Sequence, residues 1–179
     1  SEKEKLDDVL RKVKDTLAEN IKNNKESLDR VREEIERNIR RNEESLDRAR
    51  RTVEKIIEEI REDEDLVRRA EEMVRRVADL VRKSVERSRE LLKRLEDLVR
   101  KSVEDSKDLL RRVEKLVREG GDDVEKLVEE LRRLLKESHE LSREVNDRLR
   151  RALEESHELS KEVNETLRKL LEDIRREAK

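Results

Sequence analysis

Two matching segments hold most of the residues that could do chemistry. Ser138, His139, Ser142 and Asn146 return as Ser156, His157, Ser160 and Asn164, each moved by 18 residues. A hydroxyl beside an imidazole is half of a nucleophile–base pair. An imidazole among amides and hydroxyls is the beginning of a metal site. Neither constellation is completed. No carboxylate is signalled that would orient the ring, and nothing suggests an oxyanion hole or a concave pocket. Asn and Ser are weak metal ligands, and eighteen residues of helix separate the two rings by about 27 Å, so His139 and His157 cannot share an ion. The residues therefore point away from catalysis, metal and cofactor, toward neutral imidazoles satisfied by Ser and Asn.

A pH response is the sharper expectation. If both rings are buried and each accepts a hydrogen bond through one nitrogen, protonation turns that acceptor into a donor and brings a charge into the core. Stability would then fall as the pH drops below about 6.5, the ordinary value for histidine. With two histidines the response is shallow unless the chain oligomerises.

Eighteen residues are also five turns of an ideal α-helix, so every repeated side chain returns to one angular position. The spacing thus demands long helices. Of the 179 residues 55% are charged, 31% are hydrophobic and none is aromatic, a balance that fits long helices but also disorder. Periodicity decides. From Leu6 through Val13, Leu17, Ile35 and Val53 to Ile60 the apolar residues recur in steps of three and four. Within this first helix Asn20, Asn24 and Ser27 return as Asn38, Asn42 and Ser45.

Boundaries follow from capping chemistry. A continuous helix past Glu62 would rotate the stripe from Val67 onward by roughly 90°, so a break is expected, with Asp63 as cap and acids in the first turn. The second helix repeats too, Ser84 and Ser88 returning as Ser102 and Ser106. Gly120-Gly121 ends it, and Asp122 with Glu125 reads as a capping-box-like start for the third. The expected fold is all-α and a single domain over 1–179: an up-down-up bundle of three long, nearly straight antiparallel helices, about 3–62, 64–119 and 122–178. A period of 18/5 equals 3.6 residues per turn and asks for no supercoil.

Folding the second helix back brings the repeats to similar heights. One layer would gather Asn20, Asn24, Ser27, Ser102, Ser106, Ser138, His139, Ser142 and Asn146. The other would gather Asn38, Asn42, Ser45, Ser84, Ser88, Ser156, His157, Ser160 and Asn164. Apolar residues fill the outer quarters. A buried polar group without a partner costs about 1–3 kcal/mol, so such layers favour one register.

The Ser1-Glu2-Lys3-Glu4-Lys5 start, the Glu/Lys/Arg surface, the Gly120-Gly121 loop and the modular Asn/Ser/His layers resemble de novo designed helical bundles with buried hydrogen-bond networks. That resemblance implies a scaffold, an oligomer or heteromer component, or a switch, and histidine networks in the class can respond to pH. The residues support a structural protein with no natural activity and no required cofactor. The alternative is an interaction module. Pairs such as Leu91-Leu92, Leu109-Leu110, Leu134-Leu135 and Leu170-Leu171 widen the apolar arcs and leave room for self-association or a designed helical partner. Acids and bases interleave to a net charge of −2, which speaks against nucleic acid. No aromatic anchors, apolar span or signal-peptide core points to a membrane or an export route, so a soluble chain made by recombinant cytoplasmic expression is expected.

Overall fold

The computed structural model describes all 179 residues and contains three helices with no strand: α1 (Glu2–Ile60), α2 (Glu64–Glu119) and α3 (Val124–Ala178). They pack pairwise as a three-helix bundle. Contacts divide the chain into two compact units, each taking a stretch of every helix: Ser1–Val31 with Lys93–Arg151, and Arg32–Leu92 with Ala152–Lys179. No helix is long and apolar enough to cross a membrane.

Each helix starts where a side chain satisfies its orphan amides. At α1 the capping is reciprocal, Glu4 N–H donating to Ser1 Oγ at 3.3 Å while the Ser1 ammonium reaches Glu4 Oε2 at 3.4 Å. Asp63 Oδ1 accepts the Leu66 N–H at 3.1 Å and caps α2 as the sequence demands. The third start lies one residue beyond the expected one. Asp123, not Asp122, takes the Lys126 N–H, at 3.3 Å. Gly121 causes the delay: its φ of +79° turns the chain through the left-handed region before the new helix can begin. Gly120 is required as well, because a Cβ there would collide with the Leu116 carbonyl oxygen.

Within the first unit Val13, Leu17, Leu109, Val113, Leu131 and Leu134 form a buried cluster, with Leu6, Val9 and Leu10 against it. The second unit buries Leu46, Ala49, Val53, Ala70, Val77, Val81, Val163, Leu167, Leu170 and Ile174 in the same way. Fully burying one such aliphatic side chain is worth about 1.5–3 kcal/mol. These clusters hold the helices firmly enough for a few polar groups among them to be positioned rather than tolerated. Ion pairs add orientation at the edges. In the second unit Arg87 Nε donates to Glu155 Oε1 at 2.9 Å, and this hydrogen bond, with the attraction of the carboxylate, raises the pKa of the guanidinium above its ordinary value.

Candidate functional site

Four hydrogen bonds between α1 and α3 form the centre of the polar layers. In the first unit Asn20 Nδ2 donates to Ser138 Oγ at 2.8 Å, and Ser142 Oγ donates to Asn24 Oδ1 at 3.2 Å. In the second unit Asn38 Nδ2 donates to Ser156 Oγ at 3.0 Å, and Ser160 Oγ donates to Asn42 Oδ1 at 3.1 Å. Every pair is separated by 118 residues. A constant difference, rather than a constant sum, means that α1 and α3 run parallel, as an up-down-up chain requires. One amide of each layer donates and the other accepts, so the two pairs of a layer are not interchangeable.

Asn24, Asn38 and Asn42 are buried, as are Ser138 and Ser156, while Asn20, Ser142 and Ser160 are half-buried. These pairs set one register. Sliding α1 by seven residues against α3 would place Asn20 and Asn38 opposite Val145 and Val163, and Asn24 and Asn42 opposite Leu149 and Leu167. Each buried amide would lose its partner at about 1–3 kcal/mol.

The remaining expected members fall elsewhere. Both imidazoles are exposed, and so are Asn146 and Asn164. This corrects the expectation of buried histidines. At 100° per residue His139 and His157 stand a full step away from Ser138 and Ser156, and a helix with two neighbours closes over only the middle of its apolar arc. Ser27 and Ser45 are half-exposed and accept hydrogen bonds from Arg30 and Arg48 on their own helix, both at 3.1 Å. On α2, Ser84, Ser88, Ser102 and Ser106 are buried, but they make no bond to the other helices. Ser88 Oγ donates to the Ser84 carbonyl at 2.9 Å, and the Ser84 and Ser102 hydroxyls have no partner. The layers are therefore pairings of α1 with α3, and α2 fills space beside them.

His157 has a defined setting of its own. Asn38 Nδ2 lies 3.5 Å from its Nδ1, and Glu34 Oε1 lies 3.2 Å from its Nε2. In the neutral ring an amide N–H facing Nδ1 suits the tautomer that places the proton on Nε2, toward Glu34. Sequence reasoning missed Glu34. A signal was present, since Glu34 takes the place that Thr16 holds 18 residues earlier, but nothing in the sequence sets that place against a histidine of another helix.

Ser138 and Ser156 are each 1% exposed and already accept an amide proton. No group of three or more His, Cys, Asp or Glu is placed to hold a metal ion. In comparisons with known proteins, no family model, curated protein or solved structure matches the chain.

Proposed function

We propose that this chain is a structural scaffold of the designed-bundle type, whose Asn–Ser pairs specify which helices meet and in what register, and that it performs no natural reaction. The observation that carries this reading is the common 118-residue offset of the four pairs. Apolar contact alone is tolerant of sliding by a turn or a heptad, whereas a directional bond between two buried groups is not. In this reading the chain requires no cofactor, metal, nucleic acid or membrane, and the two histidines sit at the edges of the layers rather than at a reaction centre. The test is to replace Asn20, Asn24, Asn38 and Asn42 by Leu and their serine partners by Ala. The expected result is a helical protein of equal or greater stability with several sets of methyl resonances, because the register is no longer unique. One sharp set of resonances in the substituted chain would overturn the reading.

A second reading, an interaction module, is favoured by one observation. Leu80 on α2 is 38% exposed, and between α1 and α2 of the second unit runs an open groove floored by Val53, Ile57, Val74 and their neighbours. Light scattering on a size-exclusion column separates the two readings. A monomeric mass in dilute solution supports the self-contained scaffold, and a dimer makes the apolar faces an interface.

A further inference from the structure

The groove between α1 and α3 of the second unit carries a charge pattern that the Asn–Ser pairs do not use. About 400 Å³ in volume, it is rimmed by Glu34, Arg37 and Arg41 on α1 and by Lys161, Glu165 and Arg168 on α3, with Asn38 and Ser160 below. Four cations thus face two carboxylates. One of those carboxylates, Glu34, is already engaged by His157. None of the four cations lies within ion-pair distance of an acid, although much of this surface is laced with pairs three and four residues apart.

The first unit supplies the contrast. Eighteen residues earlier the same places hold Thr16, Glu19, Asn23, Arg143, Asp147 and Arg150. Two cations there are balanced by two carboxylates, and Arg150 is 3.5 Å from Asp147. The core pairs repeat, but the rim does not. All the changes on α1 lie beside the layer, and two of the three, Glu19 to Arg37 and Asn23 to Arg41, move the charge in the positive direction.

We propose that this groove binds a compact polyphosphate anion, with inorganic pyrophosphate as its simplest form. Arg37 and Arg41 stand one turn apart on the same helix face, so their planar forks can engage adjacent phosphoryl groups in bidentate fashion. Lys161 and Arg168 supply point charge and a further fork from the facing helix. Asn164, exposed at the same edge, offers an amide donor. The cations sit on two helices, which suits an anion carrying two phosphoryl groups better than a single phosphate. Because the rim is open to water, the binding is screened by salt.

The two histidines make the test simple, since His157 lines the groove and His139 lies in the other unit as an internal control. The imidazole carbon–proton signals are followed while sodium pyrophosphate is added at fixed pH and constant ionic strength, with sodium chloride as the reference titrant. The expected result is a saturable movement of the His157 signals with His139 still. The variant R37E/R41N, which installs the residues the first unit already carries at these places, should weaken the apparent affinity by about tenfold or more. Circular dichroism confirms that it remains folded, and K161E repeats the test from the facing helix. If both rings respond alike, if chloride has the same effect, or if R37E/R41N and K161E respond as the parent does, the proposal is overturned.

Discussion

The two units answer one question twice: what happens when the same polar layer is set among different neighbours? Asn20 and Asn38 make the same bond to Ser138 and Ser156, and Asn24 and Asn42 accept the same hydroxyl proton from Ser142 and Ser160. Their edges diverge. Asn38 is buried where Asn20 is half-buried, and His157 touches both Asn38 and Glu34 where the first unit has Thr16 in place of the carboxylate. The pairing in the core is thus carried by the repeated residues themselves, because close packing fixes their distances. The setting of each imidazole is decided by a side chain on the other helix, outside the repeat.

The strongest challenge to this equivalence is a cavity in each core. Leu17 and Ile35 occupy the same place 18 residues apart and are almost fully buried, so Leu17→Ala and Ile35→Ala should each cost about 2–5 kcal/mol in denaturant unfolding. A difference much larger than the spread of such deletions would show that the units are not equivalent in packing. The amides should separate the units next. Asn38→Ala, at a buried site with two contacts, should lose about 1–3 kcal/mol, and Asn20→Ala, at a half-buried one, distinctly less. Equal losses would mean that burial of the amide does not set its worth.

Smaller effects are expected at the rims. Because both rings are exposed, His139→Gln and His157→Gln should each change stability by no more than about 0.5 kcal/mol. A loss well above that at His157→Gln would mean that its contacts to Asn38 and Glu34 do more than orient the ring. The smallest effect sharpens the contrast directly. Thr16→Glu should give His139 the partner that His157 has in Glu34, visible as a shift of the His139 ring signals, with a coupling of about 0.2–0.3 kcal/mol that salt weakens.

Much of this was legible from the residues alone. The three helices, the break capped by Asp63 and the stop at Gly120-Gly121 follow from periodicity and capping, which are local and need no knowledge of neighbours. Asn20, Asn24, Ser138 and Ser142, with their repeats, were legible as residues at one height, because an 18-residue spacing shared by two helices keeps them in phase; which of them bond, and that Ser27, Ser45, Asn146 and Asn164 stand apart, was not. The start of α3 was misplaced by one residue because two adjacent aspartates can each cap, and only the path of Gly121 chooses between them. The α2 serines were legible as buried, yet not as bystanders.

The histidines mark the boundary between the two kinds of information. The sequence alone determined that His139 and His157 lie at the edge of a stripe containing Ser138 and Ser156, since 100° per residue is a property of any helix. Whether an edge is inside or outside depends on how many helices close over it. With α1 and α2 as the only neighbours, the closure stops short of the rings, and the tertiary structure alone decided that they face water, that Glu34 meets one of them, and that four unpaired cations line a groove beside it.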